Sequence, residues 1–177
     1  MAKEIERKYL LMEDGEEHFT DNLKILYPSL ESLAEDVRKR GERIIQGYLP
    51  IESGLKLAES IGIHLDFTPA EVRLRDRAGV YLFTAKAGKG VERDEEERSV
   101  PFSIFQRYWN QTRGKRIGKT RLAMPYHGHA AEIDVYTDRD LIIAEIEVPS
   151  IEEAERLLPL GKDVTLIEGY KNRYLAK

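Results

Sequence analysis

The chain has 177 residues, of which 41% are hydrophobic and 34% are charged, and this predicts one globular domain, residues 1–177, with a sizeable core. The formal net charge of −4 excludes a strongly basic nucleic-acid-binding surface, so a polyanion site must be a local basic cluster. The absence of cysteine excludes disulfides and thiolate metal sites, and the lack of an apolar signal segment or long apolar run predicts a cytoplasmic protein.

The first ten residues carry an alternating charged pattern. If residues 4–10 form a strand, Glu4, Glu6 and Lys8 lie on one face, because strand side chains alternate with period two. Such a face is a poor core surface, since unpaired buried charge is costly, but it can line a hydrated, ion-filled cavity. A solvated edge strand and the first turns of a charged helix are the alternatives for this segment taken alone.

A polar connection over residues 13–27 precedes the first predicted helix, whose apolar residues follow helical spacing at Leu30, Leu33, Ala34 and Val37. Ser32 and Glu35 have the spacing of a capping box, so the start of this helix is defined only to within one turn. A second strand is predicted over residues 43–49. Residues 51–70 exceed an ordinary loop and include a predicted short helix over 55–61, so this segment is either a flap or a lid.

Three strands with charged faces follow, over residues 71–77, 80–87 and 91–100. The pair Ala78-Gly79 indicates a hairpin turn between the first two. Period-two alternation places the following residues on the charged faces: Arg73, Arg75, Thr84, Lys86, Arg93, Glu95 and Glu97.

A helix is predicted from Pro101, because proline suits the first turn. Strands are predicted over residues 116–124, 131–136 and 141–148, with turns at 125–128 and 138–140. Their charged faces carry Lys119, Arg121, Glu132, Asp134, Glu145 and Glu147. Further helices are predicted after Pro149-Ser150 and over residues 170–176.

Most of these strands have one charged face and one apolar face. A closed barrel with an enlarged interior explains this pattern, because its lumen can be charged while helices cover its apolar outside. The sequence therefore predicts an α+β fold with a closed antiparallel β-barrel and helices packed outside.

The charged residues suit phosphate and metal chemistry. Arginine matches phosphate oxygens with two parallel donors, lysine supplies a point charge, and carboxylates suit a hard divalent cation that bridges to substrate phosphates. These are the components that phosphoryl transfer needs. No P-loop motif is present.

The motif Glu4-Ile5-Glu6-Arg7-Lys8 resembles the E-x-E-x-K signature of the CYTH domain, the triphosphate tunnel metalloenzyme superfamily, and in particular its bacterial or archaeal inorganic triphosphatases. The resemblance extends over nearly the whole chain, in the family's order, through Gln46-Gly47-Tyr48-Leu49, Val72-Arg73-Leu74-Arg75, Thr84-Ala85-Lys86, Arg93 with Glu95 and Glu97, Lys119-Thr120-Arg121, Glu132-Ile133-Asp134 and Glu145-Ile146-Glu147.

The resemblance implies an eight-stranded antiparallel tunnel that hydrolyses a triphosphate with Mg²⁺ or Mn²⁺. It implies a metal held by Glu4, Glu6 and Glu147, with Asp134 and Glu145 at positions that can support a second metal. Triphosphate-binding positions would be Lys8, Arg73, Arg75, Lys86, Arg93, Lys119 and Arg121. The residues expected to carry catalysis are Glu4, Glu6, Lys8, Asp134, Glu145 and Glu147.

Two other functions stay open at this point. A class IV adenylyl cyclase would use the same tunnel, but cyclase-like members tend to read Q-x-D-x-Y where this chain has Gln46-Gly47-Tyr48, which favours a hydrolase. A non-catalytic binder of polyphosphate or nucleotide would be favoured by lost carboxylates, and none of the expected ones is missing. Tripolyphosphate, nucleoside triphosphates and thiamine triphosphate remain candidate substrates. We predict no nucleic-acid or membrane partner, while a homodimer is allowed.

Overall fold

The computed structural model describes residues 2–177. Its strands are β1 (Ala2–Glu13), β2 (Glu16–Glu17), β3 (Glu42–Leu49), β4 (Glu71–Arg77), β5 (Val80–Ala87), β6 (Glu92–Ser99), β7 (Arg116–Tyr126), β8 (His129–Tyr136), β9 (Leu141–Glu147) and β10 (Lys162–Asp163). Its α-helices are α1 (Asp21–Lys24), α2 (Leu30–Arg40), α3 (Ile51–Ser60), α4 (Phe102–Trp109), α5 (Ile151–Arg156) and α6 (Asn172–Leu175). Within residues 2–177, no helix has the length and apolar character needed to cross a membrane.

The fold class predicted from the sequence is confirmed: the protein is α+β, with a closed eight-stranded antiparallel β-barrel and helices. The chain divides into two compact units. The first contains the described residues up to Glu4 together with Ile44–Ile117 and Glu168–Lys177, and the second contains Ile5–Arg43 and Gly118–Ile167. The interpretation of residues 1–177 as one domain stays a prediction.

The sheet of the first unit has the strand order β6-β5-β4-β3, with antiparallel neighbours. Its apolar face forms a core in which helices α3 and α4 lie against β4 and β5. Leu74 and Phe83, paired across β4 and β5, are fully buried at its centre. Burial of such large side chains stabilises this unit and leaves the opposite face of the strands for polar residues.

In the second unit the strand order is β7-β8-β9-β1, and the short strands β2 and β10 pair with β1. Helix α2 lies against β8 and buries the four apolar residues that its spacing predicts. The helix begins at Ser29, whose hydroxyl accepts from the Ser32 N–H, while the Ser32 hydroxyl accepts from the Ser29 N–H. The capping box therefore joins Ser29 and Ser32, so the alternative start suggested by Ser32 and Glu35 is wrong.

Helix α3 begins four residues earlier than the predicted helix over 55–61. Gly54 lies inside the helix, where glycine costs about 1 kcal/mol relative to alanine and so weakens the helical pattern. Here it is required by close packing: a Cβ atom at Gly54 would lie 2.6 to 2.7 Å from three side-chain atoms of Val72. The residues 51–70 thus hold structure of their own, packed on β4.

Strand β7 extends to Tyr126, two residues beyond the predicted end and into the predicted turn at 125–128. The turn itself needs only His127 and Gly128, which both have positive φ, and Tyr126 pairs directly with His129. A two-residue turn of this kind matches the twist of the flanking strands. The predicted polar connection over 13–27 likewise contains the short elements β2 and α1.

Candidate functional site

The charged face of the first unit is continuous across four strands. Register pairs join Gln46 to Arg75 and Tyr48 to Arg73 between β3 and β4, and Arg73 to Thr84 between β4 and β5. Between β5 and β6, Thr84 lies opposite Glu97 and Lys86 opposite Glu95. Because residues paired in register point to the same side of a sheet, the side chains predicted for the charged faces here do share one face.

Lys86 and Glu4 are at the centre of an ion-pair cluster on this face. The Lys86 ammonium lies 2.6 Å from both Glu4 carboxylate oxygens and 2.5 Å from a Glu95 oxygen. The Arg93 guanidinium lies 3.0 Å from the same Glu4 carboxylate. Lys86 is buried, so these contacts offset the cost of removing its charge from water.

Arg73 and Arg75 are buried, and each has a long contact to the same carboxylate. Their guanidinium groups lie 4.0 and 3.9 Å from Glu97, whose carboxylate accepts a hydrogen bond from the Thr84 hydroxyl at 2.8 Å. The buried Arg73 Nε has no hydrogen-bond partner among residues 2–177. A buried donor without a partner is costly, so this face has capacity to bind an anion.

Local electrostatics keep Arg73 fully charged. Burial acts to lower the pKa of its guanidinium, but negative charge on neighbouring groups outweighs burial and raises it. At physiological pH the carboxylates of Glu71, Glu95 and Glu4 carry that charge. The same burial raises the pKa of Tyr48 to about 12, so the tyrosine is neutral at physiological pH. Gln46 donates to the Tyr48 hydroxyl at 2.7 Å, which fixes the orientation of this phenol beside Arg73.

In the second unit, Arg121 is the hub of the charged face. It donates from Nε and Nη2 to the two oxygens of Asp134, at 2.6 Å each, and from Nη2 to Glu145 at 2.5 Å. Its Nη1 donates to Glu132. Lys119 contacts the same Asp134 carboxylate, and both side chains are completely buried. One arginine therefore holds three carboxylates from strands β8 and β9.

Glu145 joins this hub to β1. Lys8 lies opposite Glu145 in register, and its ammonium is 2.8 Å from a Glu145 oxygen. Burial acts to raise the pKa of the Glu145 carboxyl, but the charges of Lys8, Lys119 and Arg121 outweigh burial. They hold that pKa well below its ordinary value of 4.5.

The lowered pKa predicts an acid-sensitive contribution to stability. A carboxylate whose pKa is depressed by folding stabilises the native state above its unfolded pKa, and this stability is lost as pH falls through the folded value. We expect the difference in unfolding free energy between wild type and Glu145→Gln to be largest at pH 7 and to narrow below about pH 4.5. Urea denaturation at pH 7, 4.5 and 3 measures this, with Glu155→Gln, at an exposed carboxylate on α5, as the control. A difference in unfolding free energy between wild type and Glu145→Gln that stays the same at pH 3 as at pH 7 would contradict this prediction.

Carboxylates also face each other directly across strands. Glu132 lies opposite Glu145, where Arg121 bridges the two, and Glu6 lies opposite Glu147 at the next charged position along β9. Glu147 is exposed and Glu6 partly so, which fits a hydrated divalent cation that uses one or two carboxylates and keeps several waters. No group of three or more histidine, aspartate or glutamate residues in the described part of the chain forms a ready-made metal cage.

The structure thus places the predicted site residues in two groups. The first unit brings together Glu4, Arg73, Arg75, Lys86 and Arg93, and the second brings together Glu6, Lys8, Lys119, Arg121, Asp134, Glu145 and Glu147. Sequence reasoning missed Thr165, whose hydroxyl accepts from the backbone N–H of Lys8 at 3.0 Å. A threonine beside a short two-residue strand carries no sequence signal that could have identified this contact.

No family model matches the chain. An inorganic triphosphatase of Nitrosomonas europaea is 34% identical over 113 residues, which cover 60% of this chain and 74% of that protein. The crystal structure of an inorganic triphosphatase superposes with a TM-score of 0.56 at 25% identity, covering 99% of this chain and 95% of that one.

A second solved structure shares the fold. A conserved hypothetical protein of Pyrococcus furiosus superposes with a TM-score of 0.52 at 18% identity, over 86% of this chain and 84% of its own. At this identity the likeness concerns the fold alone.

Proposed function

This chain belongs to the CYTH, or triphosphate tunnel metalloenzyme, family, and from that premise we propose that it is a metal-dependent triphosphatase. The observation that carries the proposal is the buried Arg73 and Arg75 pair, with Arg73 Nε lacking a hydrogen-bond partner among the described residues. A buried guanidinium donor without a hydrogen-bond partner, such as Arg73 Nε, is suited to a phosphate oxygen. A triphosphatase relative with 34% identity supports the same chemistry.

The cations of each unit have a role in this proposal. In the first unit, Arg73, Arg75, Lys86 and Arg93 contact phosphate oxygens. In the second unit, Lys8, Lys119 and Arg121 are predicted phosphate contacts that here bind Asp134 and Glu145. Positive charge held in place before the reaction stabilises the negative charge that develops on the leaving pyrophosphate without further reorganisation.

The carboxylates provide the metal-binding part of the proposal. Glu6 and Glu147 face each other and would hold Mg²⁺ or Mn²⁺, with Asp134 and Glu145 as the predicted supports of a second ion. Glu4, the third predicted ligand, here binds Lys86 and Arg93 in the first unit. A divalent cation bound by Glu6 and Glu147 would neutralise phosphate charge and lower the pKa of a bound water. The hydrolysis itself forms one bond, from a water oxygen to the terminal phosphorus, and breaks the bridging P–O bond, so orthophosphate and pyrophosphate, or a nucleoside diphosphate, are the products. No side chain acts as a nucleophile.

A product assay over a panel of triphosphates tests the proposal. Tripolyphosphate, ATP and thiamine triphosphate would each be incubated with Mg²⁺ or Mn²⁺, and orthophosphate and cyclic AMP measured. We expect orthophosphate from at least one triphosphate and no cyclic AMP. Cyclic AMP as the main product from ATP would assign the chain to the cyclase branch, and binding without turnover would favour the non-catalytic binder. The predicted cytoplasmic location and homodimer remain predictions.

A further inference from the structure

The main chain of Lys8 is held by a residue that lies outside the charged faces of the strands. The Thr165 hydroxyl accepts a hydrogen bond from the Lys8 N–H at 3.0 Å and donates to the Lys8 carbonyl at 3.4 Å. The N–H of Val164 donates to the same carbonyl at 2.9 Å. Thr165 is 7% exposed, so water competes little for its hydroxyl. Both main-chain polar groups of Lys8 are therefore bonded to the two residues that follow β10.

The pairing of β1 with β9 explains why Lys8 depends on these residues. In an antiparallel pair of strands, residues that exchange main-chain hydrogen bonds alternate with residues that do not, and side chains lie closer together in the second kind of pair. The Val148 N–H donates to the Ile5 carbonyl, and three residues further along β1, Lys8 lies opposite Glu145 in a pair of the second kind. Strand β9 therefore brings the Glu145 side chain close to Lys8, while the Lys8 N–H and carbonyl point away from β9 and toward Thr165.

The position of this main chain determines the geometry of a buried ion pair. The Lys8 ammonium lies 2.8 Å from one Glu145 oxygen, and the other Glu145 oxygen accepts from Arg121 at 2.5 Å. Lys8 and Glu145 are both buried, so neither charge can move into water if their separation changes. A displacement of β1 at Lys8 would therefore change the distance between the ammonium and the carboxylate directly.

Thr165 is itself fixed by a carboxylate. Asp163 accepts from the Thr165 N–H with one oxygen at 2.9 Å and from Arg7 Nη1 with the other at 2.8 Å. The Nε of Arg7 donates to the Ala154 carbonyl at 3.1 Å. The threonine hydroxyl is thus presented to β1 by a turn that is bonded to the residue next to Lys8 in the same strand.

We propose that Thr165 is a positioning residue of the triphosphatase site and acts through Lys8. Its hydroxyl fixes the Lys8 main chain, so that the ammonium is presented to a phosphate oxygen and to Glu145. The inference rests on the proposed function, because Lys8 is one of the phosphate contacts in that proposal. It goes beyond that function, because it assigns control of this contact to a residue outside the charged faces.

Two substitutions at Thr165 separate the hydroxyl from the volume of the side chain. Thr165→Val keeps the shape but removes the acceptor of the Lys8 N–H, whereas Thr165→Ser keeps the hydroxyl. A misplacement of about 1 Å can lower a catalysed rate by about a hundredfold, so for the smaller shift expected here Thr165→Val should lower kcat/KM for tripolyphosphate by about tenfold. Thr165→Ser should retain at least about half of the wild-type value, because its hydroxyl can make the same hydrogen bond.

Thr20→Val is the matched control. It makes the same change in the same unit, at a threonine whose hydroxyl donates to the Pro159 carbonyl at 2.6 Å. We expect wild-type rates from it. Wild-type kcat/KM in Thr165→Val, or an equal loss in Thr165→Ser, would overturn the inference.

A double-mutant cycle with Lys8→Met tests whether Thr165 acts through Lys8. If it does, Thr165→Val should have little further effect once the ammonium is absent, whereas a general structural role would lower activity by the same factor in both backgrounds. Equal losses in the two backgrounds would overturn the inference. Where Lys8→Met has no measurable turnover, the same cycle is run on the dissociation constant of tripolyphosphate, measured by calorimetry.

The binding cycle also distinguishes failure of the inference from failure of the proposed function. If tripolyphosphate binds but is not hydrolysed, weaker binding in Thr165→Val that depends on Lys8 supports the positioning role, and the proposed function alone fails. If tripolyphosphate is hydrolysed equally by wild type and Thr165→Val, the enzyme stands and the positioning role is overturned. If wild type neither binds nor hydrolyses a triphosphate, both fail.

A variant at Asp163 keeps the test available if Thr165→Val does not fold. The Asp163 side chain is 45% exposed, and Asp163→Ala removes the acceptor that holds the Thr165 N–H. Asp163→Asn keeps a carbonyl oxygen at that position. We expect Asp163→Ala to lower kcat/KM more than Asp163→Asn does, and only when Lys8 is present. Equal values in the two variants, or a loss that is independent of Lys8, would overturn the inference.

Discussion

Replacing Glu6 with glutamine is expected to lower the rate of triphosphate hydrolysis by about a hundredfold or more, the scale of removing one strong electrostatic contact at a reacting phosphate. The substitution keeps the shape of the side chain but removes one of the two carboxylate charges that face each other between β1 and β9. A divalent cation bound by Glu6 and Glu147 would then lose a charged ligand. Steady-state phosphate release across a magnesium titration measures both the rate and the metal requirement.

Glu17→Gln is the matched control for this experiment. It makes the same charge change on an exposed residue of β2, which also pairs with β1. We expect wild-type rates from it. Because a ligand that binds only the native state raises its stability, magnesium should also raise the melting temperature of wild type and Glu17→Gln more than that of Glu6→Gln. A normal rate with unchanged magnesium dependence in Glu6→Gln would count against the Glu6–Glu147 metal site.

The second large effect concerns stability. Asp134→Asn is expected to lower the free energy of unfolding by about 3 to 5 kcal/mol, because it removes the buried carboxylate that two buried cations share. Lys119 is completely buried against Asp134, and Arg121 donates to both oxygens of the same carboxylate. Asparagine keeps the volume but cannot compensate two positive charges.

The chain provides a closely matched control in Asp138→Asn. Asp138 also receives two hydrogen bonds from one arginine, Arg139 Nε at 2.9 Å and Nη2 at 2.7 Å, but its side chain is 45% exposed. Exposed pairs contribute about 0 to 1 kcal/mol, so urea denaturation should separate the two variants clearly. Equal and small losses in both would show that the Asp134 network is not needed for folding.

The sequence was sufficient for the long strands and most helices, and for the face on which the charged side chains of those strands lie. Alternation with period two placed Arg73 and Arg75 on one face, and the structure shows both buried on that face. The spacing of Leu30 and Val37 similarly predicted the buried stripe of α2. These signals are local, so they can be interpreted without knowing which strands pair with each other.

Pairing across strands could not be predicted in the same way. Alternation assigns a residue to a face, but it does not say which cation meets which carboxylate. The register of β7, β8 and β9 determines that Arg121 binds three carboxylates, those of Asp134, Glu132 and Glu145.

The measurement that tests the central claim most directly is phosphorus NMR of tripolyphosphate hydrolysis in oxygen-18 water, with magnesium and with excess chelator. If water attacks the terminal phosphorus in a metal-dependent reaction, the label appears in orthophosphate, pyrophosphate stays unlabelled, and the chelator abolishes turnover. Label in the pyrophosphate, a trapped phosphoprotein, or hydrolysis that continues at the same rate in chelator would contradict this mechanism.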